Sequence, residues 1–267
     1  MRVIHLLAGL ALAGAVAGAW AQKNPAEAGI EEYRAMLADG NPAELTEAKG
    51  EDLWKQKRGP KNASLETCDL GKGPGVVKGA FVELPRYFPD TGKVQDLETR
   101  LITCMERIQG FNGAEIMKTP WGKGEKATVD DLATYVAGQS RGMTVKVPQD
   151  QPMEREYYEV GKRIFFTRGG THDFACATCH GQDGKRIRMQ DLPNLTKNPG
   201  DNAGFPAWPA YRVSTGNVWT MQHRLNDCFR QQRFPEPNYG SDALTALSVY
   251  LGVNANGAKS TAPALKR

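Results

Sequence analysis

The sequence has 267 residues, 40% hydrophobic and 24% charged, which places it among ordinary globular chains and excludes a disordered one. With 34 basic against 30 acidic residues, its net charge of +4 is too balanced for a nucleic-acid-binding surface. The only long apolar run is N-terminal, which excludes a multi-span membrane protein, and the length suits two domains or one large one.

Residues Met1–Ala21 read as a signal peptide: Arg2 is the positive n-region, Leu6–Ala17 is uncharged, and Ala19-Trp20-Ala21 fits a small-x-small cleavage site. The apolar stretch of 12 residues is well short of the roughly 20 that span a bilayer, so no membrane span is expected after cleavage. An exported chain sits where thiols oxidise, and each cysteine then needs a role. Gln22–Gly50 reads as a helical arm, and Glu51–Gly92, rich in Gly, Pro and Lys, as irregular. Apolar residues at 97, 101, 105 and 108 predict a helix over Gln95–Gln109. A second helix, Val129–Ala137, is opened by Asp130 and Asp131. Gly142–Pro152 has two prolines and no period, and reads as a linker between domains at 22–148 and 149–253. The second domain opens with a helix, Glu156–Thr167, that carries Gly161-x-x-x-Phe165. After a loop at Pro193–Pro209 comes a helix from about Asn217 to Gln232, stopped by Pro235 and Pro237. Asp242–Gly252 is a last helix, and 254–267 a flexible tail of small residues.

Cys176-Ala177-Thr178-Cys179-His180 is CxxCH, the attachment signature of c-type haem. Two thiols one helical turn apart can both reach the haem vinyl groups, and the adjacent His180 then coordinates iron as proximal ligand. Zinc would want a second ligand pair, and a thioredoxin-like CxxC would follow a strand; neither context is present. Helix, short loop and CxxCHG together resemble the opening of class I cytochrome c domains. A faint internal repeat matches Arg100-Leu101-x-x-Cys104 to Arg224-Leu225-x-x-Cys228, and Leu132-x-x-Tyr135 to Leu247-x-x-Tyr250. The expected fold is therefore mainly α: two cytochrome c-like helical domains in tandem, with one covalently bound haem c in the C-terminal one alone.

Haem uses two of the five cysteines. Of Cys68, Cys104 and Cys228, two should pair, and the shared domain favours Cys68 with Cys104 over either partnered with Cys228. Cys228 is then a free thiol, either inert in a core or bound to the distal face of the iron. Met189, Met221, His223 and Cys228 compete for that position, and spacing does not choose between them. Arg224, one helical turn before Cys228, shares its face; it favours the thiolate and offers planar donors to an oxyanion. The plainer role for Arg224 is pairing with a haem propionate or an acidic side chain.

Together these features resemble the SoxA subunits of the SoxAX cytochromes of bacterial thiosulfate oxidation. The resemblance covers nearly the whole mature chain. It rests on CATCHGQDG at Cys176–Gly184, HRLNDCFRQQRFPEP at His223–Pro237 and the haem-less first domain with two cysteines. It implies the mono-haem form, with Cys68–Cys104 as the disulfide and His180 and Cys228 as axial ligands. It also implies Cys228 as catalytic sulfur, carried as a persulfide in many members, and Arg224 as substrate-binding residue. The implied reaction is that of an L-cysteine S-thiosulfotransferase in the periplasm. Thiosulfate is joined to a cysteine of a SoxYZ-like carrier protein, and electrons leave through haem to a SoxX-like cytochrome subunit. Arg212, Arg230 and Lys185 are candidate helpers for the sulfonate; His172 and His223 have no assigned role. The rival readings are an electron-transfer cytochrome with methionine at iron, and a haem-based redox or gas sensor.

Overall fold

The computed structural model describes residues 25–187, 190–200 and 202–266. The leader expected at Met1–Ala21 and the candidate ligand Met189 lie outside them. The chain divides into an N-terminal unit ending at Met36 and a larger unit, Leu37–Arg267. Of the former, helix α1 is described, over Pro25–Ala38.

The larger unit is built around two helix crossings. Helix α2 (Ala43–Lys55) packs on α5 (Gly124–Gly138), and α6 (Pro152–Phe166) packs on α9 (Asp242–Asn254). Each crossing is closed by a glycine. A Cβ on Gly50 would overlap the backbone carbonyl of Asp131, and one on Gly161 that of Ala246. One turn later an aromatic ring seals each contact: Trp54 lies 6.2 Å from Tyr135, and Phe165 lies 5.0 Å from Tyr250. Gly161→Ala should therefore cost about 3 kcal/mol through forced separation of the helices, read as a lowered midpoint in a denaturant titration of the folded protein.

Between these crossings the two halves follow one plan at a constant offset of 124 residues, the separation of Cys104 and Cys228. A 3₁₀ turn (Phe81–Glu83, then Phe205–Ala207) leads to a hairpin and a capped helix. The hairpins are β1 (Arg86–Phe88) with β2 (Lys93–Gln95), and β5 (Ala210–Arg212) with β6 (Asn217–Trp219). Helix α3 (Leu97–Cys104) is capped by the Asp96 carboxylate, and α8 (Met221–Gln231) by the Thr220 hydroxyl. The halves share a core, with Phe81 stacked on Phe205 at 6.0 Å. The helix starts also meet: Gln222 donates its backbone N–H to Glu98 and its side-chain amide to Asp96.

The remaining elements are α4 (Gly113–Lys118), the short α7 (Cys176–His180), the two-residue strands β3 (Arg186–Ile187) and β4 (Gln190–Asp191), and β7 (Ala264–Lys266). Several expectations change. Glu51–Gly92 is irregular only in part, since α2 runs through Lys55 and β1 lies within it. Asn217–Trp219 is a strand and not the first turn of α8, because Thr220 takes the cap position. The tail expected to be flexible is packed in part: Ala262 is fully buried, and β7 pairs in parallel with β5. The linker segment is stitched to it, with Val145 N–H donating to Ala258 and Gly142 N–H to Ser260. Cys68 and Cys104 form a disulfide inside the first half, Cα atoms 5.6 Å apart.

Candidate functional site

Helix α7 carries the CxxCH motif. Its start is held by the Thr178 hydroxyl, which accepts from the Ala175 N–H at 2.9 Å. Ahead of it, Gly169 and Phe174 exchange backbone hydrogen bonds across a tight loop. The αL residue Gly170 (φ +65°) sits directly against the backbone at the end of α8, where any Cβ would collide. That contact sets α7 beside the C-terminal turns of α8. Between them lies a cavity of about 110 Å³ lined by Ile164, Thr167, Cys176, Phe229, Gln232 and Phe234.

Cys176, Cys179 and Cys228 are free thiols, each partly buried. They are close enough to bias one another's ionisation, and burial pushes Cys176 up to about 12. His180 Nδ1 lies 2.9 Å from the Pro193 carbonyl, which can only accept; Nδ1 is therefore the donor and Nε2 carries the free lone pair. Burial also lowers the His180 pKa, which keeps the ring neutral and suited to a metal. The donor set fits a covalently attached haem: two thiols on one helical turn, a neutral imidazole with Nε2 free, and a largely apolar wall.

Arg224 and Cys228 are both on α8 and interact electrostatically. Burial raises the Cys228 pKa more than the cations Arg224 and Arg212 lower it, so the thiol does not ionise on their account alone. A coordinated metal would deprotonate it outright. Sequence reading missed Asp227. This buried carboxylate accepts from Arg224 at 3.0 Å, from Arg230 at 2.5 Å and from Gln231 at 2.6 Å. Burial works against its charge, but the Arg230 hydrogen bond, the Arg224 charge and the Gln231 amide prevail and hold its pKa below the ordinary value. The signal was there as i,i+3 spacing, Arg224-x-x-Asp227-x-x-Arg230.

The other candidates are placed elsewhere. Met221 is buried in the core shared by the halves, beside Phe81 and Leu97. His223 is not a surface residue. Its ring is sandwiched between Trp121 and Trp219, both at 4.1 Å, and burial lowers its pKa to about 4. It is therefore a neutral spacer that ties α8 to the first half. Lys185 and His172 are exposed.

Comparison with known proteins agrees with this geometry. The sequence profile of the SoxA/TsdA cytochrome c domain matches residues 49–145 and again 160–260, once on each half. The chain is 59% identical, over 89% of its length and 87% of the relative's, to the L-cysteine S-thiosulfotransferase subunit SoxA of Hydrogenophilus thermoluteolus. It is 32% identical to the protein of that name from Paracoccus pantotrophus, over 81% of this chain and 69% of that one. The crystal structure of SoxXA from P. pantotrophus superposes with a TM-score of 0.73 at 27% identity, covering 88% of this chain and 84% of that one.

Proposed function

The chain belongs to the SoxA/TsdA cytochrome c family, and on that premise we propose that it is a periplasmic L-cysteine S-thiosulfotransferase subunit built of two cytochrome c-like halves. One covalent haem c would be held in the C-terminal half, attached through Cys176 and Cys179, with His180 and Cys228 as the residues that bind its iron. The partners are a SoxX-like cytochrome, as in the P. pantotrophus SoxXA complex, and a SoxYZ-like carrier protein.

What carries this reading is the nearness of the CxxCH motif to Cys228 and Arg224: Cys176 lines the cavity beside α8, Cys228 acts on the charge of Cys176, and Arg224 acts on both Cys228 and His180. In the overall reaction a carrier thiol R–SH and thiosulfate give R–S–S–SO₃⁻, one proton and two electrons. An S–S bond forms between the carrier sulfur and the sulfane sulfur, and the S–H bond breaks. Arg224 holds the sulfonate oxygens, and Asp227 fixes the Arg224 side chain on the helix. Cys228 carries the thiosulfate as Cys228–S–S–SO₃⁻, the two-electron oxidation occurring as that bond forms, and the carrier sulfur then attacks the sulfane sulfur, so that the bond to Cys228 breaks as the carrier S–S bond forms. When bound, a haem held by these residues would supply the electron-accepting chemistry that the two released electrons require.

The direct test incubates the holo complex with thiosulfate and a carrier bearing one cysteine. The expected result is haem reduction together with a carrier mass raised by one S₂O₃ unit. Haem reduction without carrier modification would favour the plain electron-transfer reading.

A further inference from the structure

The 124-residue offset supplies a control inside the molecule, because Arg100 of α3 occupies in the first half the place of Arg224 in the second. Arg100 already has its acid and carbonyl partners. Its Nε donates to the Asp69 carbonyl at 2.6 Å, and its Nη1 donates to both oxygens of Asp90 at 3.0 and 2.9 Å. Its plane lies 3.9 Å over the Phe88 ring. It is also buried, next to a disulfide, in the half without a haem motif.

Around Arg224 these surroundings are replaced at the corresponding positions. Ser214 stands where Asp90 stands, so that acid is missing; Arg212 stands where Phe88 stands, so a second cation is added. Trp208 and Trp219 stand where Leu84 and Gln95 stand, and each bears a guanidinium: Arg224 at 6.0 Å from the Trp208 centroid, Arg212 at 4.7 Å from that of Trp219. Both cations act on Cys228 and on each other. Among the described residues the Nε of Arg212 is buried with no hydrogen-bond partner, and its side-chain hydrogen bond from Nη2 to the Ser214 hydroxyl, at 3.4 Å, is weak. Asp227 eases the charge on Arg212 but gives its Nε no hydrogen bond, since its oxygens are taken by Arg224, Arg230 and Gln231. Two neighbouring guanidinium groups with a buried unsatisfied donor are unfavourable unless an anion completes them.

We propose that Arg212 is a second substrate-binding residue, forming with Arg224 a two-guanidinium clamp for the sulfonate of thiosulfate beside Cys228. Arg230 is not part of it, being half exposed and held by Asp227. The proposal rests on the thiosulfate reading and adds a source of selectivity. Sulfur compounds with a sulfonate group gain the clamp, whereas sulfide and polysulfides, which lack oxygens, do not.

The test uses full-length holo protein in its complex, in a Cys228→Ala background where turnover is blocked, with thiosulfate binding measured by titration calorimetry. Arg212→Gln is expected to weaken binding about 10–100-fold with haem content unchanged, the loss of charge-assisted hydrogen bonds to an anion. Arg212→Lys should fall between, having the charge without the fork. In the Cys228 protein, Arg212→Gln should lower turnover with thiosulfate. Unchanged thiosulfate affinity in Arg212→Gln overturns the clamp and leaves Cys228 chemistry standing. If the Gln variant fails to carry haem, wild-type affinity in Arg212→Lys overturns the bidentate clamp in the same way. Turnover that survives Cys228→Ala refutes the reaction itself, a separate outcome.

Discussion

Replacing Cys228 by alanine is expected to abolish thiosulfate-dependent electron release, by about 10⁴-fold or more, while leaving the haem in place. The size follows from the role proposed for it as the group on which sulfur is carried, since loss of a nucleophile that shares a covalent step costs factors of that order. Haem retention follows from the geometry. Cys176 and Cys179 lie on α7, and His180 is oriented by the Pro193 carbonyl; the one tie to α8, from Cys176 to its capping residue Gln232, does not involve Cys228. The measurement pairs haem content with steady-state reduction by thiosulfate and carrier. Full haem with full turnover would move the chemistry away from Cys228 and reduce the protein to an electron shuttle. A methionine at position 228 should also keep haem and raise its potential, because a thioether withdraws the electron density that a thiolate donates.

Removal of the Cys68–Cys104 disulfide, with both residues changed to alanine, is expected to cost about 4 kcal/mol on the chain-entropy model for its closed loop. The sequence separation is 36 residues, and the bridge joins α3 to a stretch with little regular structure of its own. That stretch includes Leu65 and Leu70, which are buried, so its ordering is coupled to the core. At this chain length the loss corresponds to a Tm lower by about 8–15 °C. Calorimetry of the holo protein reads it directly. Haem attachment should persist, since the bridge lies in the other half; an unchanged Tm would show that the core alone orders this loop.

Much of the site was legible because its chemistry is written in short spacings. CxxCH is one helical turn. R-x-x-x-C places a guanidinium and a sulfur on one helix face, and Gly161-x-x-x-Phe165 marks a close helix crossing. The counterpart Gly50-x-x-x-Trp54 went unread because the stretch after Gly50 is rich in Gly and Lys, though α2 runs through it. The hairpins were missed because strands of three residues are too short to show an alternating period. The helix expected from Asn217 began late because a capping threonine, not an apolar period, decides where the first turn forms.

The sequence by itself determined the cofactor chemistry, the disulfide partners within reach and the helices, since each depends on neighbours a few residues away. The tertiary structure alone decided that Ala264–Lys266 is a strand beside β5, that His223 is held between two indoles, and that Arg212 lies near enough to Arg224 and Cys228 to feel their charge. Those facts join residues from separate elements, in the case of His223 and Trp121 from opposite halves. Such pairings are set by which surfaces exclude water together, and that is a property of the packed chain that no local window of residues contains.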